Sequence, residues 1–119
     1  MNMTYKQKAQ AVYDMIFSGQ LLEAFDKYYH EDVVMTEIGE DARVGKAINR
    51  DYEIKFLESV KAVHGAGIDS MAADEENKTV LIENWMDVTF QNDVRMRISQ
   101  VAVQKWDGDF IVEERFYHR

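Results

Sequence analysis

Glu37 is an acid at the end of the apolar run Val33-Val34-Met35-Thr36-Glu37-Ile38. A carboxyl carried into a closed apolar space loses solvation and is pushed toward neutrality, which makes it a competent general base. The same residue has blander uses: it can lead a solvated loop with Glu40 and Asp41, or pair with Arg43. Tyr13 falls on an apolar helical stripe, and a buried phenol needs a partner that either a ligand oxygen or a neighbouring side chain can supply. Asn84 and Gln100 are single amides on otherwise apolar strand faces, the pattern of a pocket floor with a few placed donors and equally of amides bonded internally. Met35, Tyr52, Phe56 and Phe116 are the residues expected to shape an apolar substrate surface around them. His30, His64 and His118 lie in three elements with no shared ligand spacing, so no metal site is expected. His64 is placed to answer a helix dipole or shuttle a proton, and Arg115 to make a cross-strand pair, to meet Glu37 or to hold a carboxylate.

The elements that must position these groups are punctuated by glycine, because the chain has no proline. Thr4 with Gln7 is a capping-box pattern, and Tyr5, Ala9, Val12, Tyr13, Ile16 and Phe17 recur at helical spacing until Ser18-Gly19. Leu21, Leu22, Phe25, Tyr28 and Tyr29 give a second, short helix, followed by the strand Val33 to Ile38. After a polar loop, Ile48, Tyr52, Phe56, Val60 and Val63 form the stripe of a longer helix running from Lys46 to His64-Gly65. A segment from Gly67 to Ala73 and the acidic turn Asp74-Glu75-Glu76-Asn77 lead into strands Thr79 to Gln91, Val94 to Trp106 and Phe110 to Tyr117. Gln91-Asn92-Asp93 and Asp107-Gly108 supply good turn chemistry, so the chain closes on an antiparallel meander.

On the strand from Val80 to Phe90, Val80, Ile82, Asn84, Met86 and Val88 share one face, while Leu81, Glu83, Trp85 and Asp87 share the other. Apolar residues on both sides ask for cover on both sides, and the N-terminal helices can cover only one. A homodimer through the outer sheet face is therefore expected, with Trp85 on that face. The 119 residues suit one domain, 1–119. Twenty-two acids against fourteen bases give a net charge of -8, which repels phosphate backbones and anionic membranes and excludes nucleic acid as a partner. No apolar run approaches membrane-spanning length, and no cysteine is present for disulfides, thiolate nucleophiles or thiolate-bound metals. A cytoplasmic protein is expected.

The order helix, helix, strand, long helix and curled meander resembles the nuclear transport factor 2-like superfamily, in particular its SnoaL-like members. Three stretches carry the likeness. Phe25-Asp26-Lys27-Tyr28-Tyr29-His30-Glu31-Asp32-Val33-Val34 is similar to that family's passage from second helix to strand, and Gly45-Lys46-Ala47-Ile48 to the opening of its third helix. Gln104-Lys105-Trp106-Asp107-Gly108-Asp109-Phe110 through Phe116-Tyr117 is similar to its closing hairpin. The resemblance implies an α+β fold in which a curved antiparallel sheet wraps around the N-terminal helices to form a conical pocket. It implies a cofactor-independent isomerase, cyclase or hydratase-like proton transfer on a small apolar carbonyl compound, or a plain binding or dimerisation module. The similar ketosteroid isomerases place a carboxylate base at the position matching Glu37 and an oxyanion-donating tyrosine near that of Tyr13.

Overall fold

The computed structural model describes residues 3–118. Three helices, α1 (Tyr5–Phe17), α2 (Leu21–Tyr28) and α3 (Lys46–Ser59), pack with six strands: β1 (Tyr29–Glu37), β2 (Arg43–Val44), β3 (Val60–Asp74), β4 (Thr79–Phe90), β5 (Arg95–Asp107) and β6 (Phe110–His118). The strands form one sheet in the order β2-β1-β6-β5-β4-β3, so the fold is the expected α+β arrangement of helices against a curved, unclosed sheet. All neighbours are antiparallel except β1 and β6, which run parallel.

The start of α1 is doubly held. Thr4 Oγ1 accepts from the Gln7 amide at 3.1 Å while Gln7 Oε1 accepts from the Thr4 amide at 2.8 Å, the capping box read from the sequence. The Glu75 carboxylate, from the turn before β4, also accepts from the free amides of Tyr5 and Lys6 at 2.8 and 3.1 Å. Orphan amides and the positive end of the helix dipole both favour an anion there, which fastens α1 across the β3–β4 end of the sheet. Gly19, at φ 81°, then turns the chain into α2.

Two expectations need correction. The helix expected to reach His64 stops at Ser59, and Val60–Asp74 is a fifteen-residue strand paired with β4 from Val60 opposite Phe90 to Asp74 opposite Thr79. Val60 and Val63 satisfied a helical stripe, but β-branched residues suit a strand equally, and the ladder to β4 decides between them. The meander therefore has four strands, β3 to β6. The α3 stripe is also rotated: Ile48 and Leu57 are exposed, and the fully buried residue of the helix is Asn49.

Asn49 explains that rotation. Its Nδ2 donates to the carbonyls of Gly45 (2.8 Å), Arg43 (3.0 Å) and, more weakly, Val33 (3.4 Å), and its Oδ1 accepts from Arg43 Nε at 3.1 Å. One buried amide thus ties β1, β2 and α3 together and aims the next turn of α3 inward. The inner sheet face and helices close over a core that includes Val12, Phe25, Val33, Met35, Ile82, Trp106 and Ile111. On the opposite face, the Trp85 ring lies flat against Gly65 and Gly67, where a β-carbon at Gly67 would sit 2.9 Å from its Nε1, and the Arg97 guanidinium stacks over it at 4.2 Å. No helix among the described residues is long and apolar enough to cross a membrane.

Candidate functional site

Between α1, α3, β1 and the inner face of the sheet lies a cavity of about 1160 Å³. Tyr13, Glu37, Tyr52, Phe56, Asn84, Gln100 and Phe116 line it, as does Tyr29 at the first residue of β1. Met35, expected to shape the cavity, is not among its lining residues: it shares a face of β1 with Glu37, but its side chain is buried in the hydrophobic core. The last β5–β6 partners are Gln100 and His118, so Arg95–Ser99 extends past the end of β6 as a free edge among the described residues. The cavity opens there and spreads onto Arg97 and Ser99.

Three carboxyls, Glu37, Glu53 and Glu114, line the cavity together. Glu37, at the end of β1, stands 3.8 Å from Arg43 Nη2 and 3.4 Å from His118 Nε2. Burial raises its carboxyl above the ordinary value, and the opposing pull of Arg43 and His118 does not cancel the effect. Glu53, one turn beyond Asn49 on α3, is pushed to about 7 by burial first and by the charges of Glu114 and Glu37, with Arg43 pulling the other way. Glu114, on β6, is almost wholly buried and also pushed to about 7, by burial against the opposing hydrogen bonds from Tyr29 and Gln104. Arg43 is the nearby guanidinium: it lies 3.6 Å over the Tyr52 ring, and among the described residues its buried Nη2 has no hydrogen bond.

Two buried phenols face these acids. Burial, and secondly the nearby carboxylates, hold the hydroxyls of Tyr13 and Tyr29 well above their ordinary range, so both keep their protons at any working pH. Asn84 Nδ2 donates to the Tyr13 oxygen at 3.3 Å and to the Ile82 carbonyl at 3.0 Å, while Gln100 Nε2 approaches Asn84 Oδ1 at 3.5 Å. The two amides lie opposite each other on β4 and β5. Tyr13 accepts from Asn84, and among the described residues its own O–H has no acceptor, so it is left to donate. Asn84 and Gln100 are thus bonded internally and still serve the cavity, by setting the polarity of Tyr13.

The other candidates lie elsewhere. Arg115 is exposed and paired with Glu113 at 3.2 Å rather than with Glu37. His64 is on β3, bonded to Thr89 Oγ1 at 2.7 Å, and His30 Nδ1 accepts from the Asp32 amide at 3.0 Å. Among the described residues no three His, Asp or Glu side chains are arranged to hold a metal ion. Glu53, Glu114, Gln104 and Tyr29 escaped the sequence reading. A stripe drawn from Asn49 through Glu53 to Phe56, at helical spacing, would have found the first of them.

A model of the SnoaL-like domain matches residues 3–118. Three solved structures share the fold. A protein of Mesorhizobium loti named as a SnoaL-like polyketide cyclase is 24% identical, with 97% of this chain and 99% of that one covered and a TM-score of 0.83. SalBIII, an epoxide hydrolase/cyclase-like enzyme of pyran ring formation in the polyether salinomycin, is 18% identical, with 97% and 90% covered and a TM-score of 0.81. An LEH-like epoxide hydrolase of M. tuberculosis is 16% identical, with 97% and 82% covered and a TM-score of 0.78. No curated protein matches the chain in sequence. The family model spans nearly all of the chain: the chain belongs to the SnoaL-like family.

Proposed function

We propose that the cavity catalyses a cofactor-independent proton transfer on a small apolar carbonyl compound, an isomerase or cyclase type of reaction. The observation that carries this reading is the meeting, in one apolar space, of carboxyls raised toward neutrality with a phenol whose O–H is free to donate. A base poised near 7 can take a proton from the carbon beside a carbonyl, and the oxygen that gains charge is steadied by Tyr13. Glu53 is the best matched of the three acids: it lines the cavity, is raised to about 7, and its side chain makes no ion pair or hydrogen bond among the described residues. Glu37 is the second candidate, because its ion-pair contacts to Arg43 and His118 are long and its carboxyl is still raised. Tyr52, Phe56 and Phe116 supply the apolar walls.

The test is exchange of the α-protons of 2-tetralone for deuterium in D₂O, followed by NMR, with wild type, Glu53→Gln, Glu37→Gln and Tyr13→Phe. We expect exchange above the buffer rate in wild type and a loss of about a hundredfold in Glu53→Gln, the usual worth of a positioned base. If Glu37→Gln suffers the loss and Glu53→Gln does not, Glu37 is the base. Binding of the ketone without exchange in wild type supports the other class of function, a cavity that only holds its ligand.

A further inference from the structure

Glu114 takes no part in the proton transfer just described, yet the hydrogen bonds around it fix where its proton can go. The Trp106 indole has a donor and no acceptor, and it donates to Gln104 Oε1 at 3.1 Å. That sets the Gln104 amide, whose Nε2 then points at Glu114 and donates to Oε2 at 3.0 Å. Oε2 accepts from Gln104, and a carbonyl oxygen accepts better than a hydroxyl oxygen, so a proton on Glu114 is favoured on Oε1. Oε1 is bonded to the Tyr29 hydroxyl, and Tyr29 is held in place by Phe25, stacked on its ring at 4.5 Å between centroids.

Two arrangements follow. An ionised Glu114 accepts the Tyr29 proton, and the phenol has nothing left to donate. A protonated Glu114 donates to the Tyr29 oxygen instead, and the phenol's own hydrogen turns away, toward the cavity that Tyr29 lines. We propose that Tyr29 is a second hydrogen-bond donor to the ligand's carbonyl oxygen, beside Tyr13, and that it donates only while Glu114 is protonated. The proposal rests on the cavity being a carbonyl site. Tyr29 is the group that touches the ligand; Glu114, Gln104 and Trp106 act through it. The charged and titratable groups that face this cluster are Tyr13 from α1, Glu37 from β1, Glu53 from α3, and Arg43 and His118 beyond Glu37.

The experiment needs no turnover, so it can fail or succeed independently of the base assignment. The probe is 2-acetylnaphthalene labelled with ¹³C at the carbonyl, bound to the protein at about pH 5 and about pH 9, which bracket the neutral range. Binding affinity and the infrared carbonyl stretch are read together. In wild type we expect the stretch to fall to lower frequency at the acid end and the affinity to be about tenfold tighter there, the worth of one hydrogen bond. Tyr29→Phe should remove that pH dependence. Glu114→Gln should hold the acid-end stretch and affinity at both pH values, because its amide Nε2 donates to Tyr29 while its Oε1 accepts from Gln104. The wild-type comparison stands without either variant. A stretch and affinity that do not change with pH in wild type would overturn the proposal, as would a ketone that fails to bind at either pH. So would a pH dependence that persists in Tyr29→Phe or in Glu114→Gln, the last of which would point to Glu53.

Discussion

Replacing Glu53 with glutamine should make this protein more stable at alkaline pH and leave it little changed in acid. The ordinary glutamate value is 4.5, and burial carries Glu53 to about 7 in the folded protein. Between those values the native state keeps a proton that the unfolded chain has released, so stability falls by about 1.4 kcal/mol for each pH unit climbed. Over the whole interval the loss is about 3 kcal/mol, an upper figure because water entering the cavity relieves part of the burial. Above about 7 the loss is complete; below 4.5 it is absent. Glutamine has nearly the same shape and no charge to desolvate, so it escapes the penalty. Urea unfolding of wild type and Glu53→Gln at about pH 5 and about pH 8, at fixed protein concentration, isolates the term. The stability difference in favour of the variant should grow by about 2 to 3 kcal/mol between the two conditions, on the order of 10 °C in Tm for a chain of this size. An equal difference at both pH values, or a variant less stable at the higher one, refutes the assignment of Glu53 as a desolvated carboxyl.

Other outcomes follow from the same structure. Asn49→Ala removes a buried amide with three donor contacts and one acceptor contact, taking from Arg43 Nε its acceptor and leaving the Gly45 carbonyl only the longer 3.3 Å bond from the backbone amide of residue 49, and should cost about 2 to 4 kcal/mol in denaturant unfolding. Gly67→Ala places a β-carbon 2.9 Å from Trp85 Nε1, so it should cost about 1 to 3 kcal/mol by urea unfolding and should be largely rescued by Trp85→Ala. A homodimer through the outer sheet face is expected, because Leu81 and Tyr117 are exposed there beside Val101 and Val103. Leu81→Lys should then halve the mass seen in sedimentation, and a wild type already monomeric at micromolar concentration would count against that interface.

Much of this architecture is legible in the chain because local signals and tertiary demands agree. The Thr4–Gln7 box, the Ser18-Gly19 stop and the Asp107-Gly108 turn all mark real boundaries, and the alternation that puts Val80, Ile82 and Val88 on one face of β4 matches their complete burial. The failures come where pattern reading equates inward with apolar. In α3 Asn49 and Glu53 point inward while Ile48 lies outside, so a stripe drawn through hydrophobic residues finds Tyr52 and Phe56 at the cavity but misses the two polar residues beside them. Val60 and Val63 illustrate a second limit, since β-branched residues at helical spacing cannot be told from a strand before the partner is known. Glu37, Tyr13, Asn84 and Gln100 stood out as polar residues in apolar runs. Glu114 did not, because on β6 it alternates with Glu113 and Arg115 and looks like one more surface charge; only the fold puts Tyr29 and Gln104 around it.

The most direct measurement is a ¹³C NMR titration of the glutamate side-chain carboxyls in the ligand-free protein, with Glu53→Gln and Glu114→Gln supplying the assignments. Both carboxyls should titrate near 7, and loss of Glu114 should lower Glu53, because the charge of Glu114 helps to raise it. If all the glutamates instead titrate near 4.5 and neither variant moves its neighbour, the cavity holds ordinary solvated acids and proton transfer at neutral pH has no base there.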